Sequence, residues 1–170
     1  MRDREPLLFT EVQAFRQWHA RLVLAFPPLA LLFLSCRQIL WNKPWGTPPI
    51  SNGGLIFLTV LLIGVYLRLV TVKLVTELRP HEISVGLRGL WKRRRIRLDE
   101  IRSTAVVTYH PIADFGGYGI RSGRRGLAYI ARGNKAVELA LTDGKRIFIG
   151  SGIADELSRR IMALRKQVKV

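Results

Sequence analysis

The chain has 170 residues, with 28 Lys and Arg against 12 Asp and Glu, which gives a formal net charge of +16. This length accommodates one ordinary domain and a small additional segment. The single cysteine, Cys36, excludes an intramolecular disulfide and a cysteine-based zinc site. Residues 73–170 carry twenty-one basic and nine acidic residues, a net charge of +12. This excess indicates a polyanionic partner, either a nucleic acid or an anionic membrane surface.

The sequence before the first apolar segment predicts a helix. Thr10, Glu11, Val12 and Gln13 form a capping-box pattern, in which a hydroxyl residue precedes Glu or Gln by three positions. A helix is therefore expected to begin near Glu11 and to continue into the apolar segment.

Two apolar segments follow, at residues 22–36 and 55–67, and the second resumes after Arg68 as far as residue 72. Each approaches the roughly 20 residues that a transmembrane helix needs. Trp18 lies at one end of the first segment, and Trp41 and Trp45 lie at the other, where aromatic belts form. The pattern predicts a membrane hairpin with two spans. The alternative is a pair of buried helices in a soluble core.

The charges around these segments predict an orientation. The connecting loop, residues 37–54, carries only Arg37 and Lys43 as basic residues, whereas both outer flanks are basic. The positive-inside rule then puts both termini in the cytoplasm. We expect a multi-pass protein of the cytoplasmic (inner or plasma) membrane, with an N-terminal helix and hairpin at residues 1–72 and a cytoplasmic domain at residues 73–170.

From residue 73 the apolar period changes to two, which is typical of β-strands. Closely joined strands are expected to be antiparallel, because parallel pairs need long crossovers. Strands are predicted at residues 82–88, 90–98, 101–109, 127–132, 136–142 and 146–150, with short ones near Val75 and Tyr118 and hairpin turns at Gly133-Asn134 and Asp143-Gly144.

The chain ends in a predicted amphipathic helix over residues 154–166. Leu157, Ile161 and Leu164 recur on one face, and Ser151 is a suitable N-cap. The predicted architecture is a small antiparallel sandwich or partial barrel that this helix closes.

The order of these elements resembles bacterial membrane-anchored proteins with a pleckstrin-homology-like (PH-like) domain. The stretches that carry the resemblance are RPHEISV after the second apolar segment, IRLDEIRS at a strand corner, YHPIADFGGYGIR, and LTDGKRIFIGSG before the last helix. The resemblance covers residues 73–165. It extends to the hairpin only through the order of the elements and their hydropathy. It implies an all-β antiparallel PH-like domain with one C-terminal helix that binds or scaffolds and has no catalytic residues.

The stretch FGGYGIRSGRRG, residues 115–126, combines five glycines with three arginines. A dinucleotide fingerprint does not fit, because Gly123 comes one residue too late and a strand follows instead of a helix. Two interpretations remain. The glycines permit a tight or bulged strand connection with solvated arginines, or Arg121, Arg124 and Arg125 form a basic loop that binds an anion.

A second basic run consists of Lys92, Arg93, Arg94 and Arg95. In a strand, alternate residues point to opposite faces, so a run of this kind predicts an edge strand protected by charge. Its functional interpretation is contact with anionic headgroups, at about 1 kcal/mol per basic residue near the surface. A nucleic-acid surface would interleave aromatic residues, and Trp91 alone is adjacent, so no nucleic-acid partner is predicted.

Catalysis has little support, because the three histidines lack metal-ligand spacing and no serine lies in a nucleophile elbow. We therefore predict a non-enzymatic binding module without a cofactor or metal. Its partner is expected to be an anionic membrane lipid, bound by the two basic runs. The alternative is a scaffold or accessory subunit that docks a membrane protein partner, and a homo-oligomer is left open.

Overall fold

A computed structural model describes residues 6–15, 17–90, 92–123 and 125–168. The chain forms two compact units. One is helical and comprises Gln17–Thr71. The other combines the chain before this unit with the chain from Val72 onward, and it contains every strand that the structure describes.

The helical unit is a pair of long helices, α1 (Trp18–Trp41) and α2 (Asn52–Val70). Both are long and apolar enough to cross a membrane, judged by length and composition. Within the most apolar window of each helix, 17% of the residues in α1 and 11% of those in α2 are buried. Large apolar side chains such as Phe26 and Phe57 are exposed. The apolar surface of these helices is therefore largely uncovered by the described chain.

Polar side chains join the two helices where they meet. The hydroxyl oxygens of Ser35 and Thr59 lie 2.9 Å apart. Near the connecting loop, the Gln38 amide nitrogen donates to the Ile50 carbonyl at 2.7 Å and to the Asn52 side chain at 2.8 Å. The Gln38 side-chain oxygen accepts from the backbone amide of Trp45. Gln38 therefore fixes the end of α1 against the loop and the start of α2.

The other unit begins with a four-stranded antiparallel sheet in the order β1-β2-β3-β4. Its strands are β1 (Phe9–Ala14), β2 (Lys73–Leu78), β3 (Glu82–Arg88) and β4 (Arg94–Arg97). The prediction that the second basic run is an edge strand is confirmed for Arg94–Arg97. Lys92 and Arg93 precede the strand, and Trp91 lies outside the described residues.

The segment predicted to begin a helix near Glu11 is strand β1 instead, so the prediction of a helix there is wrong. The segment pairs with β2 over six positions, from Phe9 opposite Leu78 to Ala14 opposite Lys73. Its polar residues cap another part of the fold: Glu11 accepts from the Gly152 amide at 2.9 Å and from the Ser151 hydroxyl. Gln13 donates to the Gly150 carbonyl at 2.8 Å. Long-range pairing and these contacts outweigh the local capping pattern.

The second sheet has five strands in the order β5-β8-β9-β7-β6. A short 3₁₀ helix, Leu98–Glu100, leads into it, and a short helix α3 (Pro111–Phe115) follows its first strand. The strands are β5 (Ile101–Thr108), β6 (Gly119–Gly123), β7 (Gly126–Ile130), β8 (Lys135–Leu141) and β9 (Arg146–Gly150). Each of the eight strands predicted after residue 73 is thus found, although the one predicted at residues 90–98 is only Arg94–Arg97.

The expectation of an entirely antiparallel domain is wrong at one place, because β7 and β9 pair in parallel. Strand β9 returns from β8 through the predicted Asp143-Gly144 turn and lies between β8 and β7. The connection at Gly133-Asn134 is therefore not a hairpin, since the strands that it joins are separated by β9. The crossover that a parallel pair requires is supplied by β8 itself with its two loops.

One core is shared by both sheets and the last helix, α4 (Ala154–Val168). It includes Leu74 and Val85 from the first sheet, Ile147 from the second, and Leu157 and Ile161 from α4, all of which are buried. The amphipathic helix predicted over residues 154–166 is confirmed. Its start is held by Ser151, whose hydroxyl oxygen accepts from the Ile153 amide.

We expect Leu157→Asp to unfold the β-strand unit, because it puts an unpaired charge into this core at a cost of several kcal/mol, against a total stability of roughly 5–15 kcal/mol. The matched control is Met162→Asp, since Met162 is exposed on the same helix. Limited proteolysis of the full chain should show rapid cleavage of the first variant and wild-type resistance of the second. Resistance of Leu157→Asp would show that α4 does not close the sheets.

Candidate basic cleft

A cleft of about 410 Å³ lies in the β-strand unit between β4, the β6–β7 hairpin and the β8–β9 turn. Four cationic residues of the described chain contribute to its lining, and we call this concavity the basic cleft. It is lined by Arg94, Ser122, Gly123, Arg125, Gly126, Leu127, Gly144, Lys145, Arg146 and Ile147. The cations come from separate chain segments, so the cleft exists only in the folded domain.

The glycine-rich stretch shapes one wall of the cleft. Gly126 has a backbone φ of +134°, and a Cβ atom built on it would lie 2.3 Å from the carbonyl oxygen of Arg146. A side chain therefore cannot be accommodated at this position without backbone movement. Gly123 also lies close to the backbone, with its built Cβ 3.3 Å from the carbonyl oxygen of Asp114. The glycines thus permit the close strand approach that brings Arg125 and Arg146 together.

Three of the four cations lie beside carboxylates. Arg125 lies 3.4 Å from Asp114, Lys145 lies 2.7 Å from Asp143, and Arg146 lies 3.2 Å from Glu138. The side-chain hydrogen bond from Lys145, with the Lys145 backbone amide, lowers the pKa of the exposed Asp143. These surface pairs contribute little stability, but they restrict where the cationic side chains point.

Arg125 has a second contact that orients it. Its guanidinium carbon lies 5.3 Å from the ring centroid of Phe148, a cation–π arrangement. Phe148 is fully buried and packs with Phe115 and Tyr109 in a small aromatic cluster behind the cleft. The aromatic cluster therefore supports the position of Arg125.

Arg94 differs from the other three cations because it lies near a neutral group, the Tyr129 phenol, whose pKa it influences. Burial raises the pKa of Tyr129, while the charge and hydrogen bond of Arg94 act in the opposite direction. In the part of the chain that the structure describes, no carboxylate forms an ion pair with Arg94. The Arg94 charge also acts on Asp143, whose pKa it lowers to a smaller extent than Lys145 does.

The structure brings together two of the seven residues predicted as anion-binding, Arg94 and Arg125. Arg93 and Arg95 instead pair with Glu77 and Glu82. Arg121 is exposed on β6 and donates to the Tyr118 carbonyl, Lys92 is exposed in the loop before β4, and Arg124 lies outside the described residues.

Sequence reasoning missed Lys145 and Arg146, which follow the Asp143-Gly144 turn. The turn is predicted from the sequence, and Arg146 is predicted as the start of a strand, but neither basic residue is predicted to bind an anion. The signal in the sequence is their position. Basic residues directly after a hairpin turn lie at the end of a strand, where other loops of the sheet can converge.

The aromatic cluster contains an unusual polar group. The Tyr109 hydroxyl is buried and has no hydrogen-bond partner among the described residues. Burial, with a smaller contribution from Tyr118, raises the pKa of Tyr109 to about 12. Leaving such a group unpaired costs about 1–3 kcal/mol.

The chain belongs to a family of unknown function, DUF6141, whose model matches residues 1–167. The match includes both compact units. None of the curated proteins compared with the chain matches it.

We expect Tyr109→Phe to raise the thermal unfolding midpoint of the full chain at pH 7, because it removes an unpaired buried hydroxyl. The difference in unfolding midpoint between Tyr109→Phe and the wild type should grow as pH rises from about 10 to about 12. The folded-state pKa of Tyr109 lies above the unfolded value of about 10, so the stability that the neutral phenol contributes is lost across this interval. Tyr118→Phe, at a half-buried position, is the control for general alkaline effects. An unchanged difference between the wild type and Tyr109→Phe across this range would contradict the assignment.

Proposed function

We propose that this protein is a membrane-anchored, non-enzymatic binding module. Helices α1 and α2 cross the bilayer as a hairpin, and the β-strand unit is a cytoplasmic PH-like domain that binds anionic lipid headgroups in the basic cleft. The observation that carries the proposal is the convergence of Arg94, Arg125, Lys145 and Arg146 on one concave surface.

The exposed apolar surface of the helices supports the membrane part of the proposal. Helices in a soluble core are covered by their own protein, whereas most residues in the apolar windows of α1 and α2 are not. Exposure of Phe26, Phe33 and Phe57 to water would be unfavourable by about 25 cal/mol for each Å² of apolar surface. A lipid environment removes this cost.

The pairing of β1 with β2 supports a hairpin over a single span. Strand β1 precedes α1, and strand β2 follows α2, yet the two strands are hydrogen-bonded neighbours. Both strands must therefore lie on the same side of any membrane that the helices cross. Two spans return the chain to the side on which it started, and one span does not.

The charge distribution supports a cytoplasmic location for the β-strand unit. The residues between the two helices carry a single basic residue, Lys43, while residues 73–170 carry a net charge of +12. The positive-inside rule assigns the basic side to the cytoplasm. The inner leaflet is also the anionic one, so it attracts the same charges.

The basic cleft supports binding more than catalysis. Its described lining contains Arg94, Arg125, Lys145 and Arg146 and no His, Cys, Asp or Glu. Arginine and lysine donors instead suit the oxygen atoms of a phosphate group. Each cation near an anionic surface contributes about 1 kcal/mol.

The order of the strands and the final helix supports the PH-like assignment in outline. Two features depart from the predicted form of that domain: the parallel β7–β9 pair and the strand β1, which comes from before the hairpin. The assignment therefore concerns the general arrangement of sheets and helix.

The topology has a direct test. Reporter fusions after Trp45 and at the C terminus of the full chain should report opposite sides of the membrane, with the C-terminal reporter in the cytoplasm. Alkaline phosphatase and a fluorescent protein give complementary signals. The same side for both fusion sites would eliminate the hairpin.

Headgroup binding can be measured on the full chain in a neutral detergent by titration with dioctanoyl phosphatidylglycerol and dioctanoyl phosphatidylcholine. We expect preference for the anionic lipid and weaker binding as salt rises. The triple variant Arg125→Gln, Lys145→Gln, Arg146→Gln should lose about 100-fold in affinity, which corresponds to about 1 kcal/mol per charge.

The matched control removes the same charge elsewhere, by Arg102→Gln, Arg159→Gln and Lys166→Gln at exposed positions. Its loss should be less than about 10-fold, since distant exposed charges are screened. Equal losses in both variants would mean diffuse attraction by total charge. A wild type that does not distinguish the two lipids would reject the lipid proposal and favour the alternative of a scaffold that docks a membrane protein.

A further inference from the structure

The two sheets end in four edge strands within the described chain: β1, β4, β5 and β6. An edge strand presents unpaired backbone groups to which another strand can bind, and proteins commonly protect such edges. Protection takes the form of short length, charged residues, glycine or a hydrogen bond from another element to the backbone at the edge. Three of these four edges carry one of these devices.

Strand β4 has four residues, of which three are arginines. Strand β6 has five residues, begins and ends with glycine, and exposes Arg121. The edge at β1 is partly occupied, because Arg160 from α4 donates to the Leu8 carbonyl just before the strand at 2.8 Å. These edges are therefore poor templates for an added strand.

Strand β5 lacks such protection. It is the longest described strand, with eight residues, and after Arg102 its sequence is STAVVT, without charge, glycine or proline. Ser103, Ala105, Val106 and Thr108 are exposed. Helix α4 contacts this strand at Thr104, whose hydroxyl lies 3.4 Å from that of Ser158, yet the neighbours of Thr104 are uncovered.

We propose that β5 is a strand-addition surface and that its occupant is β5 of a second copy of this chain. The two strands pair antiparallel about a twofold axis at Ala105. Residues that lie opposite each other in an antiparallel pair point to the same face of the sheet. When two identical strands pair about a twofold axis, one residue must therefore lie opposite its own copy in the second chain. Centring the pair on Ala105 uses the whole segment from Arg102 to Thr108.

The sequence of β5 suits this self-pairing. The residue at the axis, Ala105, has the smallest side chain of the strand, so the two copies can approach closely. Thr104 then lies opposite Val106, and Ser103 lies opposite Val107, which are favourable pairs for β-branched residues. The two Arg102 side chains lie roughly 20 Å apart, at about 3.4 Å per residue, well beyond the screening length of about 8–10 Å.

The same pairing at β4 would be unfavourable. Four residues that include three arginines, aligned with their own copy, place like charges opposite each other. The contrast between the two edges therefore selects β5 for self-association. This inference does not depend on lipid binding in the basic cleft.

Single cysteines in a Cys36→Ala background of the full chain test the proposed register. Ala105→Cys should cross-link to a dimer under mild oxidation or with a short thiol cross-linker, because residues opposite each other have Cβ atoms about 4.5–5.5 Å apart. Arg102→Cys and Thr108→Cys should each fail to cross-link alone. Mixed together, they should form the Arg102–Thr108 heterodimer at least 10-fold faster than either forms a homodimer.

Two controls complete the experiment. Ser122→Cys lies on β6 at the opposite edge of the sheet and should not cross-link above background. Val106→Lys should shift the wild-type dimer to monomer in detergent, as measured by light scattering at the same protein concentration. The proposal would be overturned if Ala105→Cys cross-links no faster than Ser122→Cys, or if the wild type is a monomer. It would also be overturned if a different protein is found bound to this edge.

Discussion

The pairing of β1 with β2 is the constraint on which the rest of the structure depends. Six backbone positions join the chain before the helices to the chain after them. For a flexible loop, closing roughly 60 residues costs about 2 kcal/mol more than closing a short hairpin. An antiparallel helical pair brings its own two ends together, so α1 and α2 reduce this cost. The Gln38 and Ser35–Thr59 contacts that join the helices therefore favour the sheet indirectly.

The basic cleft depends on the fold through a few local requirements. Gly126 must be glycine, because the Arg146 carbonyl occupies the space of a side chain. Phe148 and Asp114 hold Arg125 from two directions. Arg94 reaches the cleft from the other sheet and lies near Tyr129. These cationic side chains are thus oriented by contacts within the domain itself.

Local patterns predicted most of the strands and the last helix, because alternation and helical periodicity depend on burial alone. They failed where partners are distant in sequence. Thr10 to Gln13 matched a capping box, yet their segment is a strand whose partner lies 59 or more residues away. Gly133-Asn134 has the composition of a hairpin turn, but the strand inserted later, β9, separates its neighbours. For the same reason, the sequence puts Arg94 and Arg125 in separate basic runs, and it does not indicate that Lys145 and Arg146 lie near them.

The contacts of β1 also determine when the domain can fold during synthesis. Glu11 and Gln13 bind the corner at Gly150–Gly152, which is 137 to 141 residues later in the chain. At a synthesis rate of about 5–20 residues per second, these side chains wait on the order of ten seconds for their partners. During that time strand β1 can pair with β2, but Glu11 and Gln13 lack these partners. The side-chain contacts of β1 are consequently completed only after β9 has been made.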